Sequence, residues 1–224
     1  MRMRRKANLD LRMHQCGHLL VAKPDVMRGR WLSEFGAGGT KSSGLYDTQY
    51  SELHIELGCG KGAFLVESAK SEPGTLFIGL EKLDNVLVIA LERVAAEGLR
   101  NVMFIHALAD DLTDYFAPGE VARLYLNFCD PWPGDRHAKR RLTGRRFLDL
   151  YKRVLRPGGE LHFKTDNLGL FEFSLLEFER YGFEPVDVTR NLHKGGPIGL
   201  MTDYERKFHA LNMPIFRCIA RNVE

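Results

Sequence analysis

After residue 50 the chain switches repeatedly between short apolar runs and longer segments whose apolar residues recur every three or four positions. These are the marks of strands and amphipathic helices. Ile55 and Leu57 close a first strand, and Phe64, Leu65 and Ala69 suit a helix begun after Gly62. Thr75 to Leu80 reads as a second strand, followed by a helix from Asp84, an N-cap type, to Gly98, a C-cap type. Val102 to Ile105 makes a third strand and Arg123 to Phe128 a fourth. Thr143 is placed to cap a helix carrying Phe147, Leu150, Tyr151, Val154 and Leu155, stopped by Arg156-Pro-Gly-Gly159. A fifth strand passes through Leu161 and Phe163, and a helix after Asn167 buries Phe171, Leu175 and Phe178. Pro185 to Val188 and Pro214 to Ala220 supply two late strands. Before residue 50 the pattern is irregular, and Gly36 to Gly44 has the composition of a flexible connector. The alternation predicts an α/β fold with a doubly wound, mostly parallel sheet of seven strands and ligands beyond their carboxyl ends. We place this domain at residues 51–224, behind a basic arm and connector over 1–50.

Composition narrows this picture. At 224 residues and 44% apolar content, one domain with a full core is the natural size. The net charge of +3 is mild but uneven, with Arg2, Arg4, Arg5 and Lys6 crowding one end, so local patches matter more than the total. Cys16, Cys59, Cys129 and Cys218 form no C-x-x-C pair, which suits reduced thiols in the cytoplasm better than a disulfide frame. His14, Cys16 and His18 lack an evident fourth ligand, so no metal is expected. No apolar run reaches membrane-spanning length, and His14, Gln15 and Gly17 interrupt any signal-like segment.

Three constellations carry candidate chemistry. Glu56-Leu-Gly-Cys-Gly-Lys-Gly62 follows the first strand and opens the first helix, where Gly58, Gly60 and Gly62 let a ligand approach the backbone. Its G-x-G-x-G spacing is not that of a dinucleotide site, and Glu56 repels a pyrophosphate but welcomes a cation such as the amino-acid end of S-adenosylmethionine. Glu81 ends the second strand, 19 residues past Gly62, where an acid can accept from ribose hydroxyls. The plainer alternative is a tight turn with two solvated acids. Asp130-Pro-Trp-Pro133 leaves the fourth strand, and its prolines should hold Asp130 and Trp132 extended at the exit. A carboxylate there can accept from guanine or face a developing cation, and Trp132 can stack on a base. Arg136, Lys139, Arg140, Arg141, Arg145 and Arg146 follow with no acid between Arg136 and Arg146, a run suited to a polyanion. His137 within it reads better as an RNA contact than as a general base.

These stretches resemble the bacterial tRNA (guanine-N7)-methyltransferase family across nearly the whole chain. The resemblance rests on Arg2-Met-Arg-Arg-Lys6, Ile55 to Gly62, Gly79-Leu-Glu81, Leu126 to Pro133 with Arg136 to Arg141, Phe163-Lys-Thr-Asp-Asn167 and Met201-Thr-Asp-Tyr-Glu205. It implies a class I, Rossmann-like methyltransferase fold, S-adenosylmethionine as donor, and tRNA as partner with a variable-loop guanine as target. Glu56, Gly58, Gly60, Gly62, Glu81, Leu108, Asp110 and Asp130 would then bind the donor, with Asp130 also at the reaction centre. Arg136, His137, Arg140, Asp166, Thr202, Asp203, Tyr204 and Glu205 would face the substrate. Two positions depart from the family. Leu108-Ala109 stands where an acid often precedes the alanine, so the contact to the adenine amino group is either missing or taken by Asp110. Gly134 replaces a frequent lysine, with Arg136 as the nearest cation. An exocyclic-amine methyltransferase and a non-catalytic RNA-binding protein remain alternatives, and monomer and homodimer are both open.

Overall fold

The computed structural model describes residues 5–35 and 50–223. Its seven-stranded sheet comprises β1 (Glu52–Leu57), β2 (Thr75–Leu80), β3 (Val102–Ile105), β4 (Val121–Asn127), β5 (Leu155–Thr165), β6 (Phe183–Thr189) and β7 (Phe216–Asn222). The order is β3-β2-β1-β4-β5-β7-β6. Strands β1 to β5 pair in parallel, whereas β7 is antiparallel to both neighbours. The order reverses between β1 and β4, so the crevice beyond their carboxyl ends is the switch point where such sheets take ligands.

The segment before residue 50 is more regular than its pattern suggests. It holds α1 (Leu9–Gln15), α2 (Pro24–Met27) and α3 (Trp31–Phe35), each too short for apolar periodicity to register. Trp31 is fully buried, stacks on Phe116 at 5.4 Å, and donates its indole N–H to the Tyr115 carbonyl at 2.9 Å. Arg2, Arg4 and the Gly36–Gly44 connector lie outside the described residues.

Next come α4 (Ala63–Ser71) and α5 (Asp84–Ala96), whose Phe64, Leu65, Leu87 and Leu91 pack with Phe77 and Phe104 of the sheet. Then follow α6 (Leu112–Tyr115), α7 (Arg145–Val154), α8 (Leu168–Arg180) and α9 (Asp203–Ala210). Phe147, Tyr151, Phe171 and Phe178 from α7 and α8 join Leu124, Leu126 and Phe163 in a second apolar layer. No helix among the described residues is long and apolar enough to cross a membrane.

Several local expectations change. Asp84 is the first residue of α5, and Leu83 holds the N-cap position without a side-chain cap. Its N–H instead donates to Glu81 Oε1 at 2.9 Å. Thr143 does not cap α7; Gly144 occupies that position. Thr143 is buried and takes the Ser174 hydroxyl at 2.7 Å, while Glu177 accepts the Arg145 N–H at 3.2 Å. Leu155 and Arg156-Pro-Gly-Gly159 belong to β5, not to the end of a helix. Asn167 does cap α8, accepting from the Leu170 N–H at 2.8 Å.

Candidate active site

The carboxyl ends of β1, β2 and β4 open on one cleft of about 640 Å³, whose lining does not include Glu56. Leu57, Gly58, Glu81, Leu83, Leu108, Asp110, Asn127, Phe128, Asp130, Trp132, Lys139 and Arg140 line it. Gly58, Gly60 and Gly62 all have left-handed φ, at 71°, 58° and 72°, a region that side-chain-bearing residues rarely adopt. A Cβ on Gly62 would lie 2.9 Å from that of Ala90, so this glycine also permits α4 and α5 to meet. A Cβ on Gly58 would meet nothing within 4 Å, so the loop is open there.

Glu56 is buried beneath the loop and accepts from Asn127 Nδ2 at 2.8 Å through Oε1. Its Oε2 is buried with no hydrogen-bond partner. Burial pushes the Glu56 carboxyl up to about 8, against the pull of the Asn127 hydrogen bond and the Lys164 charge. An unsatisfied buried acceptor suits an incoming ammonium group. Glu81 accepts from the N–H groups of Gly60, at 3.2 Å, and Leu83, so it fastens the glycine loop to the start of α5. Its oxygens keep lone-pair capacity for hydroxyl donors. A ligand with a cation at one end and a diol beyond it fits this pair.

Asp130 is exposed to the cleft and has no partner among the described residues. Two non-glycine residues around it take left-handed backbone, Phe128 at φ 55° and Trp132 at φ 41°. The expected extended conformation of Trp132 is therefore not found. Such conformations cost about 1–3 kcal/mol each and persist only where surrounding contacts impose them. The Phe128 N–H donates to the Lys164 carbonyl at 2.9 Å, which fixes one end of the corner to β5.

The cationic run divides by environment. Arg146 pairs with Asp110, so the acid nearest the expected adenine contact is already engaged. Arg145 faces Asp149 at 3.7 Å. Lys139 and Arg140 line the cleft, and the Arg140 guanidinium lies 4.8 Å from the Trp132 ring centroid. Arg136 is exposed and directs its Nε–H to His137 Nε2 at 3.1 Å; the His137 and Trp132 rings are 6.2 Å apart.

The downstream candidates gather on β5 and α9 but do not share one role. Thr202 caps α9 in a capping box with Glu205. Asp203 is drawn aside to Arg93 at 2.9 Å. Tyr204 is half exposed, sits 5.0 Å from the Phe128 ring, and has its hydroxyl raised by partial burial and by Asp166. Glu205 is fully buried. Lys164 Nζ reaches both its oxygens at 3.0 and 3.1 Å, and the Thr202 N–H adds a bond at 3.2 Å. His193 Nδ1 accepts from the Ile198 N–H, so its Nε2 carries the proton donated to Glu205 Oε1 at 2.9 Å. Glu205 thus has its capacity filled by the protein itself.

Residues 50–218 match a family described as "Putative methyltransferase". A tRNA (guanine-N(7)-)-methyltransferase of Geobacillus kaustophilus (strain HTA426) is 44% identical over 98% of this chain and 96% of its own length. This chain belongs to the tRNA (guanine-N7)-methyltransferase family. The Bacillus subtilis (strain 168) protein of the same name is 43% identical over 97% of both chains. Among solved structures, the 16S rRNA methyltransferase KamB aligns with TM-score 0.60 at 18% identity, covering 78% of this chain and 89% of that one. A 16S rRNA (adenine(1408)-N(1))-methyltransferase from Catenulisporales acidiphilia, solved with its cosubstrate SAM, aligns with TM-score 0.56 at 13% identity, covering 78% and 87%. At these identities the likeness establishes the Rossmann-like methyltransferase fold. As a tRNA (guanine-N7)-methyltransferase, the chain acts on N7 of guanine in tRNA. Asn127, Phe128, Lys164 and His193 of this methyltransferase escaped motif reading as individual site residues. Lys164 and His193 are joined through Glu205, 41 and 12 positions away.

Proposed function

We propose that this tRNA (guanine-N7)-methyltransferase uses S-adenosylmethionine and modifies a guanine of the variable loop, with Asp130 at the reaction centre. The observation that carries the reading is the cleft that Gly58 and Glu81 line together with Asp130, Trp132 and Arg140. When bound, S-adenosylmethionine supplies a methyl group on a positively charged sulfur. Glu56 holds its ammonium group through the unpaired Oε2, and Glu81 accepts from the ribose hydroxyls. Guanine N7 has a free lone pair and gives up no proton on methylation, so no general base is needed. The protein's work is alignment, which can supply about 7–11 kcal/mol, and stabilisation of the positive charge that develops on the purine. Asp130 provides the second, because its attraction to the base grows as that charge forms. Trp132 and Tyr204 offer aromatic surfaces for bases, and Lys139 and Arg140 meet phosphates.

The test is incubation with radiolabelled S-adenosylmethionine and unmodified tRNA, followed by nucleoside mapping. Label in 7-methylguanosine from the variable loop is the expected result. Label on an exocyclic amine or in another loop overturns the target. No label despite tRNA binding favours the non-catalytic reading.

The raised Glu56 carboxyl adds a pH prediction. The empty site holds a protonated Glu56 at neutrality, whereas the ammonium-bound site needs the carboxylate, so donor binding releases a proton below about pH 8. Donor affinity is expected to rise with pH from about 6 toward 8, approaching tenfold per unit. Calorimetric titration in two buffers of different ionisation enthalpy reads the released proton directly. In Glu56→Gln, donor binding is weaker and the release disappears; release that survives the substitution assigns it elsewhere.

A further inference from the structure

Arg141 belongs to the cationic run, but its guanidinium is engaged with backbone carbonyls and not presented for phosphate binding. Its side chain turns inward and meets backbone oxygens of the corner that follows Asp130. Nε–H donates to the carbonyls of Pro131 and Trp132 at 3.2 and 3.3 Å. The second terminal nitrogen donates to Trp132 O at 3.2 Å and Gly134 O at 3.4 Å. The face of the guanidinium lies 4.3 Å from the Phe173 ring centroid on α8, so the plane is held from behind by an aromatic surface. Three carbonyls of a short corner converge on one cation because the backbone turns through left-handed conformations at Trp132, φ 41°, and Gly134, φ 86°. That arrangement uses the planar fork of arginine, which lysine does not reproduce.

We propose that Arg141 is a positioning residue for methyl transfer: it clamps the Asp130–Pro133 corner in its left-handed turn and anchors it to Phe173 of α8. The strain at Trp132 is held by these bonds, and the turn sets where the Asp130 carboxylate and the Trp132 ring enter the cleft. The inference rests on the reading of Asp130 as facing the reaction centre. It deepens that reading by naming what holds the carboxylate in place. It also separates Arg141 from its neighbour Arg140, whose guanidinium lies on the cleft side of Trp132.

The experiment compares Arg141→Met, Arg141→Lys, Phe173→Leu, Arg140→Met and Asp130→Ala in the full chain. The readouts are kcat, tRNA KM, the salt dependence of tRNA binding and acrylamide quenching of tryptophan emission. Trp31 is fully buried, and the chain has two tryptophans, so quenching reports Trp132. For Arg141→Met, kcat is expected to fall by about 10- to 100-fold, the scale of a reacting group displaced by an ångström. Quenching of Trp132 should increase, with the salt slope of binding unchanged. Arg141→Lys should resemble Arg141→Met, and Phe173→Leu should shift kcat and quenching in the same direction by a smaller factor. Arg140→Met should lose about one unit of log–log salt slope, as for a phosphate contact.

Loss of a unit of slope in Arg141→Met with kcat and quenching unchanged makes Arg141 a phosphate ligand and overturns the proposal. Full activity in Arg141→Lys overturns the fork geometry. If Arg141→Met is too unstable to assay, Phe173→Leu decides: unchanged kcat and quenching there overturn the clamp. Unchanged turnover in Asp130→Ala, beside a loss in Arg141→Met with greater quenching, removes Asp130 from the chemistry and leaves the clamp standing.

Discussion

Asp130→Ala is expected to lower kcat by about 10²- to 10³-fold, the usual effect of removing one well-placed electrostatic group from a reaction centre. The affinities for tRNA and donor should change by a factor of about two or less, because the interaction strengthens only as charge reaches the purine. The side chain is exposed to the cleft and tied to no other described group, so its loss leaves no buried partner stranded. Asp130→Asn separates charge from shape. It keeps an acceptor oxygen and the size of the side chain, yet it should be nearly as slow as alanine if charge is what counts. Single-turnover rates with saturating tRNA measure this without interference from product release. A rate within threefold of the parent, about 0.65 kcal/mol, would remove Asp130 from the mechanism.

Lys164→Met is expected to cost about 3–5 kcal/mol of stability, because it leaves the fully buried Glu205 carboxylate without its cation. Burial already pulls the Lys164 ammonium below the ordinary lysine range, and Glu205 pulls it back. The double variant Lys164→Met with Glu205→Gln should recover much of the loss, since it removes both charges. Urea denaturation of the four proteins gives the coupling. The same comparison bears on function: with α9 unfastened, Tyr204 loses its fixed place beside Phe128, so the double variant should regain stability before it regains tRNA KM. Additive losses would mean that the two groups act independently.

The sheet was legible because β2 and β3 are short apolar runs buried at every position, and α5 between them carries buried apolar residues at helical spacing over 13 residues. Thr143 and Asp84 misled because a good capping residue one position out of register looks the same as a correct one until the helix start is known. The N-terminal helices escaped because α2 and α3 span four and five residues, and Trp31 enters the core from a segment with no apolar stripe. Polar residues on a buried sheet face hid a different fact. His54 and His162 are pushed down to about 4, chiefly by burial, and nothing in their local pattern marks them as interior. The donor side of the cleft was readable from glycine spacing and strand-end acids. The substrate side was less so: Asp203 and Glu205 sit in a recognisable stretch, but their partners Arg93, Lys164 and His193 come from distant parts of the chain.

The antiparallel β7 lies between β5 and β6, although it follows both in the chain. During synthesis, β6 emerges before its hydrogen-bonding partner exists, and among the described residues it pairs with no other strand. The five strands β3-β2-β1-β4-β5 can assemble from earlier residues, but their β5 edge stays open until Phe216–Asn222 slides in. One late strand closes two ladders at once, so until it is in place two strand edges are open to competing pairing.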